Sequence, residues 1–183
     1  MGRLSRDINA QLAVDAAHQL IVAADVTAQA ADAPHLVPLT TAILENTHQT
    51  PQRLSADAGY YSEDGVNAVV AAEIDPYIAT RREKHSDPPP AAPRGRIPQH
   101  LPAKARMERK LRTQAGRAVY KMRKAIVEPV FGQIKGARGF VRFLLRGQVK
   151  VRGEWALVTT AHNIHRMFAA RRRVEPAPAQ AMR

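Results

Sequence analysis

The order of elements between residues 53 and 80 constrains the fold most. A short apolar stretch is followed there by a capped helix and then by a second short apolar stretch. Residues 53–57 predict a strand that ends at the turn Ala58-Gly59. Ser62 is a typical N-cap for the helix that follows. Residues 76–80 predict the next strand. Two strands joined through a helix at this spacing indicate a parallel crossover unit.

Apolar runs ahead of this unit predict further strands and a helix. Residues 11–15 and 19–25 predict two strands joined as a hairpin. Asp32 followed by Pro34 is a helix-start signal, and the helix should begin no earlier than His35. The chain therefore reads as two antiparallel strands, a helix and the crossover unit.

Beyond the crossover unit the apolar spacing is typical of helices. Six prolines make residues 85–102 a predicted loop or disordered insertion. Apolar residues then recur every three or four positions and predict one long helix over residues 104–135, which Pro129 should kink or restart. A last helix is predicted over residues 154–170, and the basic, Ala/Pro-rich tail over residues 171–183 should be disordered.

The order of elements predicts an α/β domain with a mixed sheet and flanking helices. It is also the order of a ribonuclease-H-like domain without its first strand. A chain of 183 residues has the length of one domain with its own core. No run approaches the length of a membrane span, and no signal peptide opens the chain, so we expect no membrane partner and a cytoplasmic location. The absence of cysteine excludes disulfides and thiolate metal sites.

Charge is divided unevenly along the chain. Residues 1–80 hold three cations and ten acids, whereas residues 81–183 hold 25 cations and six acids, so their net charges are −7 and +19. A strongly basic half predicts a polyanionic partner, most simply nucleic acid. From charge alone, a basic solvated surface or a ribosome-associated protein is the alternative.

Asp57 and Glu128 are the candidate catalytic and metal-binding carboxylates. Asp57 ends a predicted strand, where functional groups gather in open α/β sheets, although it could instead stabilise the turn. Glu128 lies on the predicted long helix near one face with Lys121, Lys124 and Lys135, although Lys124 and Glu128 could form an ordinary exposed pair. Paired carboxylates suit Mg²⁺, and two such ions can stabilise the attacking and leaving oxygens of a phosphoryl displacement.

A site of this kind normally uses at least three acidic residues. Asp15 and Asp25 lie at predicted strand ends and are the geometrically plausible third acids, although such positions are also typical of turn caps. The other acids before Asp57 are Asp7, Asp32 and Glu45. His162 and His165 lie three residues apart on the last predicted helix and could share a metal, but a solvated helical face is the favoured interpretation.

Taken together, these segments resemble the bacterial insertion-sequence transposases of the DDE type. The resemblance covers about residues 8–170 and is carried by residues 9–15, 19–27, 54–62, 120–139 and 155–163. It implies a ribonuclease-H-like catalytic domain that cuts and rejoins DNA with Mg²⁺ or Mn²⁺. In this resemblance Asp57 matches the second catalytic acid and Glu128 the third, and both would hold metal.

The same resemblance implies DNA-binding roles for the cations near Glu128. Tyr120, Arg123, Glu128 and Lys135 resemble the family's Tyr/Arg/Glu/Lys signature, whose cations hold DNA. Lys124 stands at the position that the signature arginine usually has, so either it or Arg123 can fill that role. Lys121, about one helical turn before Lys124, is a further candidate for phosphate binding.

The chain also departs from the family pattern at its start. The family's first acid lies on a strand ahead of the hairpin, whereas this chain begins at the hairpin. We therefore expect the C-terminal part of a transposase, truncated or decayed and inactive alone, with DNA ends and target as partners and a possible homo-oligomer. A non-catalytic DNA-binding or oligomerising remnant is the second hypothesis, and a basic RNA-binding accessory protein is the third.

Overall fold

The computed structural model describes residues 8–82, 91–98 and 100–174, and within them the chain forms four strands and five helices. This mixed content confirms the predicted α/β class. None of the described helices is both long enough and apolar enough to cross a membrane. Of the predicted insertion, residues 91–98 and 100–102 hold no helix or strand, and the rest lies outside the described residues.

The predicted hairpin is confirmed. Strand β1 (Asn9–Val14) pairs antiparallel with β2 (Ile21–Thr27), from Asn9 opposite Thr27 to Val14 opposite Ile21. Helix α1 (Leu36–Thr47) follows, after the short 3₁₀ turn Ala33–His35. Asp32 precedes that turn, but its side chain makes no cap hydrogen bond there. The carboxylate of Asp32 therefore does not cap the helix start that the sequence predicted.

The predicted crossover unit is also confirmed. Strands β3 (Arg53–Ala56) and β4 (Asp75–Ile78) pair in parallel and are joined through α2 (Glu63–Ala71). Ser62 caps α2, because its Oγ accepts a hydrogen bond of 3.1 Å from the backbone N–H of Gly65. The predicted single mixed sheet is instead two separate two-stranded sheets among the described residues, β1 with β2 and β3 with β4.

The single long helix predicted for residues 104–135 is wrong, because it breaks at Thr113. Helix α3 (Ala103–Arg112) ends there and α4 (Gln114–Gly132) begins. Thr113 has extended backbone, with φ −64° and ψ 157°, and its Oγ1 accepts a 3.0 Å hydrogen bond from Gly116. Apolar spacing alone missed this break, because a threonine cap leaves the helical period of its neighbours unchanged.

The end of the helical segment also differs from the expectation. Helix α4 continues through Pro129 to Gly132, and the π-helical turn Gln133–Ala137 follows it. The last helix, α5 (Gln148–Val174), begins six residues before the predicted start at 154. It includes the first residues of the predicted tail, and the remainder of that tail lies outside the described residues.

Two apolar clusters form the core. The first joins the hairpin to the end of α4, the π-helical turn and α5, and its buried members are Ile21, Val26, Val130, Ile134, Val151 and Trp155. The second joins the crossover unit to α1 and α3, and its buried members are Leu36, Val66, Val69, Ile74, Ile78 and Met107. The break at Thr113 therefore separates a helix that serves one cluster from a helix that serves the other.

Candidate catalytic site

Asp57 stands directly after β3 and holds the turn that follows. It is the N-cap of the 3₁₀ turn Ala58–Tyr60, and its Oδ1 accepts a 3.0 Å hydrogen bond from the backbone N–H of Gly59. Turn stabilisation, the alternative interpretation of this residue, is therefore one of its roles. The Asp57 side chain is still 49% exposed, so a ligand in solvent can reach it.

Arg123 of α4 is the cation that the structure brings to Asp57. Its Nη1 lies 3.9 Å from Asp57 Oδ2, and its side chain is only 20% exposed. The guanidinium also lies over the Tyr120 ring, 5.4 Å from the centroid, a cation–π contact that helps hold its orientation. Of the two candidates for the signature arginine, Arg123 is the one that contacts the candidate acid, while Lys124 is exposed.

Glu128 is exposed on α4 and takes part in none of the ion pairs found among the described residues. Helical spacing places it about 140° around the axis from Arg123, so the two side chains leave α4 on different sides. Lys121 and Lys124 are exposed and share the face of Glu128 by spacing. Lys135, in the π-helical turn, is exposed and places its Nζ 5.8 Å from the centroid of the Phe131 ring.

The acid that approaches Asp57 is Asp32, which the sequence analysis did not select. A Cβ atom built on Gly59 would lie 2.5 Å from Asp32 Oδ2 and 3.2 Å from Asp57 Oδ1, so both carboxylates border the same small space. Asp32 Oδ1 accepts hydrogen bonds from Asn9 Nδ2 at 2.6 Å and from Gln11 Nε2 at 3.1 Å. The loop after β2 is thereby tied to β1 and brought against the turn after β3.

Tyr60 shows the electrostatic effect of this pair of carboxylates. Its phenol is largely shielded from water, and this burial raises its pKa above the ordinary value. The negative charges of Asp32 and Asp57 raise the pKa of Tyr60 further. The tyrosine is therefore neutral at physiological pH, and the space beside Gly59 carries the negative potential of two carboxylates.

The two predicted third acids lie in other interactions. Asp15 Oδ2 accepts a 2.7 Å hydrogen bond from the backbone N–H of His18, in the hairpin turn. Asp25 Oδ1 accepts a 2.9 Å charged hydrogen bond from Arg152 Nε on α5. Within residues 8–82, 91–98 and 100–174, no group of three or more histidine, aspartate or glutamate side chains is placed to hold a metal ion.

The sequence predicted that His162 lies on a solvated face of the last helix, and this prediction is wrong. The side chain is fully buried, with Nε2 2.9 Å from the carbonyl oxygen of Gln19 and Nδ1 3.1 Å from Arg138 Nη1. Because the arginine can only donate, Nδ1 accepts and Nε2 donates, which is the arrangement of neutral imidazole. Burial lowers the pKa of His162, and the charges of Arg138 and Arg166 lower it further.

Comparison with known proteins identifies the class of protein. The sequence model of the transposase DDE domain matches residues 2–164, which is most of the chain. The chain therefore belongs to the transposase DDE domain family, and the resemblance to DDE transposases is confirmed. Neither the curated proteins nor the solved structures include a significant match.

Asp57 and Arg123, both candidates from the sequence, lie together in the structure, whereas Asp32 was not among the candidates. Asp57 follows a strand and precedes a glycine turn, which is a local signal. Asp32 lies among small residues after β2, and its sequence neighbours indicate only a helix start. The one available signal was Gly59, since a glycine beside a candidate acid can mark the close approach of another group.

Proposed function

We propose that this chain acts on DNA in transposition, through the metal-dependent strand cleavage and strand transfer of a DDE transposase. The observation that carries the proposal is the family match over residues 2–164, with Asp57 at a strand end beside a half-buried Arg123. Members of this family act on DNA and generally use divalent metal ions. The strongly basic stretch after residue 80 supports a polyanionic partner.

Asp57 is proposed to hold the divalent ion, Mg²⁺ or Mn²⁺, together with Glu128, which would have to move toward Asp57 because the two side chains lie on different sides of α4. The donors around Asp57 are oxygens, and no cysteine is present, so the donor set fits a hard cation. When bound, such an ion supplies charge stabilisation for the phosphate that is cut. Asp57 is already fixed by the Gly59 N–H and by Arg123, so it needs little reorganisation to bind a ligand.

The cations near Glu128 are proposed to hold the DNA backbone. Lys121, Lys124 and Lys135 are exposed, so their ammonium groups can reach phosphates in solvent. Arg123 contacts Asp57, so in this proposal it orients the carboxylate and can also meet a phosphate that approaches it. A homo-oligomer on DNA is part of the same proposal.

A non-catalytic DNA-binding role is the second candidate. It is favoured by one observation, that the described residues do not gather three metal-binding side chains. In this alternative the basic surface binds DNA, and Asp57 stabilises the turn after β3.

Nicking and binding assays on the full chain distinguish the two candidates. If the chain cuts DNA, Mg²⁺- or Mn²⁺-dependent nicking of supercoiled plasmid will be abolished by Asp57→Asn and by Glu128→Gln, and Asp15→Asn will retain it as the matched control. Binding without nicking, with affinity that falls steeply as salt rises, supports the non-catalytic role, because phosphate contacts release counterions. DNA affinity that does not change with salt contradicts both.

Lysine variants test the proposed DNA surface separately. Replacing both Lys121 and Lys124 by alanine should weaken DNA binding and lower its salt dependence, because two phosphate contacts are removed. Lys104→Ala together with Arg106→Ala, at the start of α3, is the matched control for charge loss elsewhere. If both pairs of substitutions weaken DNA binding equally, the loss of net charge explains the effect, and the surface beside Glu128 has no particular role in binding.

A further inference from the structure

The loop of residues 138–147 joins the π-helical turn to α5 and contains no helix or strand. Glycines stand near its start and at its end, and both have positive φ, 65° at Gly139 and 85° at Gly147. Glycine adopts this backbone conformation without the steric cost that a side chain would add. The loop therefore enters and leaves through two turns that its sequence favours.

A carboxylate of α5 holds the middle of this loop. Glu154 Oε1 accepts a 2.9 Å hydrogen bond from the backbone N–H of Leu144. Its Oε2 accepts a 3.0 Å hydrogen bond from the backbone N–H of Leu145. Hydrogen bonds to an ionised carboxylate are stronger than those between neutral groups, so the backbone of both leucines is tied to the helix.

The two aromatic side chains of the loop are anchors in the core. The ring centroids of Phe140 and Phe143 are 5.3 Å apart, and they lie 6.1 Å and 6.0 Å from the centroid of Trp155. Both phenylalanines are partly buried against the first apolar cluster. Their rings are therefore engaged with the protein and do not serve as a platform for stacking a nucleic-acid base.

Leucine and arginine side chains of the same loop remain in solvent. Leu144 is 75% exposed and Leu145 is 48% exposed. Arg142 and Arg146, which precede and follow the leucines, are exposed and take part in none of the ion pairs found among the described residues. Exposed apolar side chains rimmed by polar ones mark an interaction surface.

The charge of the surrounding segment decides which partner fits this surface. Residues 133–153 contain six lysines and arginines and neither aspartate nor glutamate. The next acid along the chain is Glu154, and both of its oxygens are bound to the loop backbone. Such a segment attracts a polyanion, and it repels the same segment of a second copy, which disfavours a symmetric contact between two copies through this loop.

We propose that Leu144 and Leu145 form a wedge that enters between two base pairs of a bound DNA duplex. Arg142 and Arg146 contact the phosphates on either side of that step. Apolar side chains inserted at a base step unstack it and kink the duplex, and cations beside them hold the bent backbone. The wedge rests on the proposed function in taking DNA as its partner, and it adds the way in which the duplex is deformed.

Glu154 is a positioning residue for the wedge, since it holds the leucine backbone and touches no DNA. Glu154→Ala makes the chain more basic, so its affinity for DNA should be unchanged or higher. The same change releases the backbone N–H groups of both leucines, so the wedge should lose its shape and unstack the duplex less. This variant therefore separates the shape of the loop from its charge.

Fluorescence of 2-aminopurine placed at the TA steps of a short duplex tests the wedge on the full chain. The fluorescence of this base rises when it is unstacked, and TA steps are among the easiest to unstack. We expect the unmodified chain to raise the fluorescence at saturation and Leu144→Ala with Leu145→Ala to abolish the rise. Leu157→Ala with Met167→Ala, at two exposed apolar positions of α5, is the matched control and should retain it.

The salt dependence of binding to the same duplex tests the flanking arginines. Arg142→Ala with Arg146→Ala should lower the slope of log affinity against log salt by about 2, because two phosphate contacts are removed. The leucine pair should leave this slope unchanged, because it carries no charge. An unchanged slope in the arginine pair would overturn their phosphate contacts.

The outcomes for the wedge and for the proposed function are distinguishable. A chain that binds the duplex without a fluorescence rise, or a rise that persists in the leucine pair, would overturn the wedge and leave the proposed function standing. A chain that binds no DNA would contradict both. If the leucine pair retains the rise but changes the oligomeric state or the binding to phosphatidylserine vesicles, the tip serves another partner and the wedge is wrong.

Discussion

The two apolar clusters are assembled in different ways, and the difference explains what each contributes. The crossover cluster is built from residues 36–111, which follow one another closely along the chain, and its turns are held by local caps such as Asp57 and Ser62. The hairpin cluster joins the start of the chain to its end, with Trp155 and Asn163 of α5 bonded to backbone atoms of Gln11 and Ile21. The candidate site lies where the two meet, because Asp57 follows β3 and Asp32 is tied to β1.

This contrast implies that the hairpin cluster depends on a few long-range anchors. Asn163 both donates to the carbonyl oxygen of Ile21 and accepts from its N–H, as a neighbouring strand would. His162 and Arg166 bind the carbonyl oxygens of Gln19 and His18 in the same hairpin. One helix therefore fixes the position of β1 and β2, and through them the position of Asp32.

Trp155→Ala should give the largest loss of stability. Trp155 is 3% exposed, packs against Phe131, Phe140 and Phe143, and donates a 3.2 Å hydrogen bond to the Gln11 carbonyl oxygen. Its removal should lower the free energy of unfolding by about 3–5 kcal/mol, measured by urea denaturation. Leu157→Ala, an exposed position on the same helix, should change the free energy by less than about 0.5 kcal/mol. Equal effects would contradict the anchoring role of α5.

Gly116→Ala should test the break between the two helices that serve the two clusters. A Cβ at Gly116 would overlap the carbonyl oxygen of Lys110, so backbone must shift, and we expect a loss of about 1–3 kcal/mol in thermal or urea unfolding. Gly132→Ala, in the same helix with nothing within 4 Å, is the matched control and should be neutral or stabilising by up to about 1 kcal/mol. If both changes stabilise the protein, α3 and α4 are not broken as described.

Ser62→Ala should give a smaller loss that belongs to the crossover cluster alone. It removes the cap of α2, which costs about 1 kcal/mol in typical helices. Ser62→Asp should retain most of the stability, because aspartate is an equally good cap. Hydrogen exchange should show increased opening at Val66 and Val69 with the hairpin amides unchanged. Equal increases in both regions would mean that the clusters unfold as one unit.

The smallest effect should be the pH dependence contributed by His162. Its pKa in the folded chain lies below the ordinary value of 6.5, so the unfolded chain binds the proton at higher pH than the folded chain does. This contribution to stability is complete above pH 6.5 and is lost as pH falls below it, until the folded histidine also titrates. His162→Gln should reduce the dependence of unfolding free energy on pH in that window. A slope unchanged from that of the unmodified chain would exclude His162.

Local signals predicted the elements better than the contacts between them. The hairpin, the crossover unit and the cap at Ser62 were all predictable, because strand alternation and capping act over a few residues. The break at Thr113 was missed because it depends on a threonine cap, and the spacing of apolar residues carries no information about how strong a cap is. The single mixed sheet was also not found, because pairing between strands is decided by tertiary contacts that no local pattern contains.

By itself the sequence determined the α/β class, the family and the candidates Asp57 and Arg123, because these depend on local order, on charge and on short motifs. Only the tertiary structure decided which acid approaches Asp57 and which histidine is buried. Asp32 lies 25 positions before Asp57, and His162 lies 143 positions after Gln19, so each contact exists only once the chain has folded. Distances across a fold depend on how whole elements pack, and that packing sums many weak contacts that no single stretch of sequence specifies.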